Sequence, residues 1–149
     1  MPKVEHTIDI RAPIDRVFPA LTDPRRSSEW NPNIIDVSQI SSNPIGEGTT
    51  WRQVMSIAGR PANLLCRVVQ FRPPYEGILQ ITGDQRGQTC TRCMAIDGGT
   101  RVTQSLEFTL PGGLLGKAME GMVRSQLQRE LERTMERQRV ALEREAGTS

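Results

Sequence analysis

The chain has 149 residues, 36% of them hydrophobic and 24% charged, with 19 basic and 17 acidic side chains and a net charge of +2. That length supports a single domain over residues 1–149 with its own core, and the charge balance supports neither a nucleic-acid partner nor a polybasic membrane role. Aromatic residues, at 4%, are too few for a base-stacking platform, and three cysteines suit a reducing compartment better than a disulfide framework.

At the N-terminus Lys3, Glu5 and Asp9 interrupt any apolar signal core. No apolar run approaches the roughly 18 residues that span a bilayer. The expectation is a cytoplasmic protein without integral membrane association. Residues 3–11 alternate: Val4, His6, Ile8 and Ile10 share one face of a half-buried strand, with charged and polar residues on the other. Pro13 opens a short amphipathic helix carrying Ile14, Val17, Phe18 and Leu21 at helical spacing. Asp23-Pro24 then has the form of an N-cap followed by proline at the first helical position. The second short helix ends near Trp30, because Asn31-Pro32 pushes the chain out of helix.

From about residue 33 to 110 the signals are those of strands. "IIDVSQI", "TTWRQVMSIA", "ANLLCRVVQF", "YEGILQIT", "TCTRCMAI" and "TRVTQSLEF" are separated by "NPIGEG", "GRP", "RPP", "GDQRG" and "DGG". These separators are turn chemistry, and "DGG" is a strong hairpin signal. Strands joined in this way form an antiparallel meander. After "LPGG", about residues 114–145 read as one long helix, with Leu115, Ala118, Met119, Met122, Val123, Leu127, Leu131, Met135 and Leu142 recurring mostly at spacings of three or four.

Motifs of familiar chemistry fail on context. "CTRC" (90–93) with Cys66 and His6 supplies the ligand types of a zinc site, but on a strand residues i and i+3 point to opposite faces. "GGLLGKA" (112–118) has Pro111 where a phosphate loop needs glycine, and Ala118 where it needs Ser or Thr. "GEG" (46–48) lies between strands and carries no nucleotide fingerprint. His6 is the sole histidine and no nucleophile elbow is present. Neither a metal nor a cofactor is expected.

The segments "IRAPIDRVFPALTDPRRSSEWNP" (10–32), "PIGEGTTW" (44–51), "FRPPYEGILQITG" (71–83) and "GGTRVTQSLEF" (98–108), in that order, resemble the SRPBCC superfamily. That superfamily includes lipid-transfer START domains, the birch-pollen allergen family, polyketide cyclases and a small subunit of carbon-monoxide dehydrogenase. The group most resembled is the bacterial polyketide-cyclase/dehydrase type. The resemblance implies an α+β helix-grip fold: a curved seven-stranded antiparallel sheet wrapped around the long C-terminal helix, with two short helices after the first strand plugging one end. Trp30 would either pack beneath that plug or sit at the cavity rim. The fold implies a cavity between sheet and helix. An empty apolar void of about 500 Å³ would cost on the order of 12 kcal/mol, as much as a domain's whole stability of about 5–15 kcal/mol, so the cavity is wet, partly collapsed or filled.

Strand parity then names candidate lining residues: His6 on the first strand; Trp51, Gln53, Met55 and Ile57 on the third; Leu79 and Ile81, with Tyr75 and Gly77, on the fifth; Val102, Gln104, Leu106 and Phe108 on the last. The helix adds Leu115, Met119, Met122 and Val123, the flexible Met side chains suiting an adaptable pocket. The ligand-binding set is accordingly His6, Trp51, Gln53, Met55, Leu79, Ile81, Gln104, Leu106, Phe108, Met119 and Met122. The facing of Cys66, Arg67, Cys90, Arg92 and Cys93 stays open. The leading function is binding or carriage of a hydrophobic small molecule (lipid, quinone or polyketide-like). A cyclase or dehydratase would need a general acid or base, for which His6 is the candidate, with Arg67 or Arg92 on an enolate if either faces inward. An assembly or maturation partner, as the carbon-monoxide dehydrogenase relatives suggest, is the third reading. Two or more convergent polar groups including His6 would favour the enzyme, and a nearly all-apolar wall the carrier.

Overall fold

The computed structural model describes residues 2–57, 59–109 and 117–147. Strand β1 (Lys3–Ile10) leads into helix α1 (Ile14–Thr22) and a 3-10 helix (Pro24–Glu29). There follow β2 (Ile34–Ser38), β3 (Thr50–Ile57), β4 (Arg60–Arg72), β5 (Glu76–Gly83), β6 (Gly87–Ile96), β7 (Gly99–Phe108) and helix α2 (Lys117–Gly147). The strands make one seven-stranded antiparallel sheet in the order β1-β7-β6-β5-β4-β3-β2, a meander whose last strand takes β1 as its outer neighbour. The start expected for the long helix, 114–116, and Leu115 with it, lie outside the described residues.

Local chemistry accounts for the turns. Asp97-Gly98 is a two-residue hairpin loop, with Ile96 opposite Gly99 and Gly98 at φ 77°, the left-handed backbone that such turns require. Gly99 is held to glycine by a close approach, since a Cβ there would collide with the Ile10 carbonyl oxygen. At the opening of the 3-10 helix Asp23 Oδ1 accepts the Arg25 N–H at 3.0 Å, with Pro24 in the first turn. Pro13 occupies the N-cap of α1, one residue ahead of the helix it was expected to open.

The inner face of the sheet carries two apolar clusters. In the first, Ile10, Ala12, Val17, Phe18, Ala20, Trp30, Cys93, Val102, Met135 and Leu142 join β1, β6 and β7 to both α-helices. Trp30, 3% exposed, packs in this core beneath the plug. Arg26 seals it from outside: its guanidinium lies 5.2 Å from the Trp30 ring centroid and pairs with Glu29 and, at 2.6 Å, with Glu145 of α2. The second cluster, Trp51, Ala62, Leu64, Cys66 and Val68, takes Val37, Ile40, Ile45, Met55, Leu79 and Ile81 as neighbours. Among the described residues no helical side chain joins it. Phe71 touches both clusters, its ring centroid 5.4 Å from that of Phe18.

Helix α2 lies along the free edge of β1. The Gln128 amide closes on the Glu5 backbone, Nε2 donating to the carbonyl at 2.9 Å and Oε1 accepting the N–H at 3.4 Å. Further on, the Arg11 N–H donates to Glu143 Oε2 at 3.0 Å. The two ties are separated by about 22 Å of helix and about 20 Å of strand, so helix and strand run side by side. They also satisfy edge groups that would otherwise offer a template for another strand.

Candidate functional site

Cross-strand partners lay out the inner face in rows. One row runs His6, Gln104, Thr91, Gly77, Phe71 across β1, β7, β6, β5 and β4. The next runs Val4, Leu106, Thr89, Leu79, Val68, and the one after it Phe108, Gly87, Ile81, Cys66, Trp51. Gln53 and Met55 continue the face along β3. At Gly77 the row passes under the plug: a Cβ there would stand 3.3 Å from Thr22 Cγ2 and 3.7 Å from Phe18 Cζ, so the missing side chain gives α1 its seat.

Burial along these rows is uneven. Val4, Phe108, Cys66, Val68 and Trp51 are buried, whereas His6, Gln104, Thr91, Leu106, Thr89, Leu79, Ile81 and Met55 are half-buried. Accessible surface on the concave face of a gripping sheet means space beside those side chains. The half-buried band starts at the edge of the helix-capped core and runs toward β3.

Polar groups sit at both ends of this band. At one end Gln104 Nε2 donates to Thr91 Oγ1 at 3.3 Å. That bond leaves Gln104 Oε1 as an acceptor and the Thr91 hydroxyl as a donor. Cross-strand neighbours stand about 4.5–5.5 Å apart at Cβ, which puts His6 beside this pair, and its imidazole has no hydrogen-bond partner among the described residues. At the other end the Trp51 indole N–H donates to Gln53 Oε1 at 3.3 Å, both residues being buried. Between the ends the wall is aliphatic apart from Thr89.

Of the residues expected to line a cavity, His6, Gln104, Leu106, Leu79, Ile81 and Met55 lie in the accessible band, and Trp51, Gln53 and Phe108 on the same face but buried. The Met119 side chain lies outside the described residues. Met122 requires a correction, since it is 68% exposed. At 3.6 residues per turn it stands about 140° around the helix from Met135, so the run of threes and fours drifted off the inner stripe. Tyr75 is also corrected: it sits in the turn before β5, 62% exposed, its N–H donating to the Arg72 carbonyl and its carbonyl accepting from the Cys93 N–H, each at 2.8 Å. Ile57, at the end of β3, is 38% exposed. Arg67 and Arg92 both point to the outer face, so neither reaches an enolate in the groove.

Thr89 and Thr91 are the groove residues that strand parity missed, because β6 has mixed character on both faces. Cys93 and Cys66 face inward and are buried, and burial pushes each thiol up to about 12. Cys90, opposite Ser105, lies on the outer face, so the CxxC is split across the sheet. No group of His, Cys, Asp or Glu among the described residues is arranged to hold a metal ion. No described helix is long and apolar enough to cross a membrane.

Solved structures share this architecture. TTHA0849 from Thermus thermophilus superposes with a TM-score of 0.71 at 22% identity, over 94% of this chain and 99% of that one. A START superfamily protein from Mycobacterium smegmatis gives 0.71 at 15% identity, over 98% and 97%. Ara h 8.0201 gives 0.61 at 17% identity, over 89% and 93%. At such identities these likenesses establish the helix-grip fold. No curated protein sequence matches the chain. The family described as "Polyketide cyclase / dehydrase and lipid transport" matches residues 1–143. With that match over nearly the whole chain, the protein belongs to the polyketide cyclase/dehydrase and lipid transport family.

Proposed function

We propose that the protein binds a hydrophobic small molecule carrying oxygen substituents, of lipid, quinone or polyketide type, in the groove between the sheet and the C-terminal helix. The observation that carries this reading is the half-buried band on the concave face, aliphatic along its length at Leu106, Leu79 and Ile81 and polar at His6, Gln104 and Thr91. An apolar body displaces water from the aliphatic wall, and a carbonyl or hydroxyl oxygen at one end meets the donors and acceptor of the row. Such a division, mostly apolar with a few placed polar groups, is what small-molecule sites show. The family's description, which joins cyclases with lipid transport, supports the same class of ligand.

Native mass spectrometry of freshly purified protein, followed by organic extraction, tests the reading. A stoichiometric adduct of an oxygenated hydrophobic compound is expected. A bare mass that persists after incubation with quinones, fatty acids and aromatic polyketides would reject it.

The row also supports a cyclase or dehydratase reading, because three polar side chains stand together, including an imidazole with no hydrogen-bond partner among the described residues. His6 would then move the proton, with Thr91 donating to the carbonyl oxygen. In that case His6→Gln retains ligand binding and abolishes conversion of a polyketide-like substrate. Equal turnover by both proteins would reject His6 as the proton carrier, and turnover by neither would leave binding as the sole function.

A further inference from the structure

The balanced charge of the chain conceals how charges are arranged along α2. Arg129, Arg133, Arg137 and Arg144 are all exposed. At 3.6 residues per turn they fall within an arc of about 80° on the side of the helix turned away from Met135. Most carboxylates of the helix have partners: Glu120 pairs with Arg124, Glu136 and Glu143 with Arg139, and Glu145 with Arg26. Glu132 accepts from Gln128 at 3.1 Å. Glu130 is half-buried and forms no ion pair among the described residues. Arg129, Arg133 and Arg144 likewise make no ion pair among the described residues, and Arg137 donates only to the Trp30 carbonyl at 3.3 Å. Arg129, Arg133 and Arg137 line one open hollow with Glu132 and Glu136. The same arc bears two exposed apolar side chains, Met122 at 68% and Val140 at 42%.

We propose that this crest of α2 docks the protein on a membrane surface rich in anionic headgroups. Charge complementarity selects an anionic occupant, since four guanidiniums stand without carboxylate partners among the described residues. The layout selects a membrane over an acidic protein. The cations are spread over about 22 Å along one exposed side of the helix. No Trp, Tyr or Phe lies on the crest to form the packed centre that protein interfaces use. A fluid surface lets each arginine find its own headgroup, and Met122 and Val140 suit shallow insertion among headgroups. The docking is peripheral, and it holds whatever the groove binds.

Co-sedimentation with phosphatidylcholine vesicles, with and without phosphatidylglycerol, tests the proposal at low and high salt. The protein is expected to sediment with the anionic vesicles only, and less so as salt screens the charges. Each arginine replaced should weaken binding about fivefold, so Arg129→Gln with Arg133→Gln weakens it by about 25-fold. Arg67→Gln, on the outer face of the sheet, leaves it unchanged. Equal binding to both vesicle types, undiminished binding of the double variant, or no binding to either vesicle would overturn the proposal.

Discussion

The two ends of the sheet's concave face are built differently. At the β1 end, Phe18, Trp30, Met135 and Leu142 descend from helices and close the core completely, and Arg26 bridges two of those helices over the Trp30 ring. Toward β3 the buried cluster is made by the sheet and the segment before it, and Leu79, Ile81 and Met55 keep part of their surface open. Both regions consist of the same kinds of side chain. Among the described residues, what separates them is whether a helix supplies the opposing layer. The capped end carries stability, while the other face keeps apolar surface accessible among the described residues, where the proposed ligand would lie.

That contrast is broken or sharpened most strongly by one leucine from each region. Leu142→Ala, in the capped core, is expected to cost about 2–5 kcal/mol by urea denaturation, and Leu79→Ala, on the groove wall, about 1 kcal/mol or less. Equal losses would mean that the groove face is as tightly packed as the core.

Alkaline pH gives the next largest effect. Cys66 and Cys93 have folded-state values pushed up to about 12 by burial, against 9.0 for a free thiol. The unfolded chain therefore releases these protons first as pH rises. Stability is complete below about pH 9 and is lost progressively toward pH 12, by on the order of 2 kcal/mol per thiol near pH 10.5. Urea midpoints across that range would show the slope, and replacing both cysteines with alanine would flatten it. A slope unchanged by the replacement would place its cause elsewhere.

The smallest effect is expected at Met122→Ala, within about 0.5 kcal/mol of wild type, whereas Met135→Ala should cost about 2–5 kcal/mol. The same assay reads both. A large loss at Met122 would place it on the packed stripe of α2 after all.

The elements themselves were legible because turn chemistry punctuates the chain so regularly. Asp97-Gly98 and the Asp23-Pro24 start both do what their residue types dictate. The facing of β4 and β6 was recoverable by an argument that strand parity does not use. A two-residue turn pairs Ile96 with Gly99, and counting outward from it sets Cys93 opposite Val102 and Thr91 opposite Gln104. The pairing of Ile57 with Arg60 likewise sets Cys66 opposite Trp51. The inner stripe of α2 was harder to read. Spacings of three and four rotate a stripe in opposite senses and cancel when they alternate, but the unbroken fours from Val123 to Met135 each add about 40° and carry the run about 120° around the helix. Nor does parity report closure: it puts Trp51 and Leu79 on one face but not the burial of the first beside the accessibility of the second.

The groove on the concave face is the central claim, and titration of an apolar fluorescent probe, 1-anilinonaphthalene-8-sulfonate, tests it most directly. Wild-type protein, Leu79→Trp on the groove wall and Leu65→Trp on the outer face would be compared while each retains a cooperative unfolding transition. Saturable binding at one site is expected, with quenching of indole emission, weakened at least about tenfold by filling the groove at position 79 and unaffected at position 65. Unsaturable binding, or equal binding by both variants, would contradict a ligand groove on the concave face.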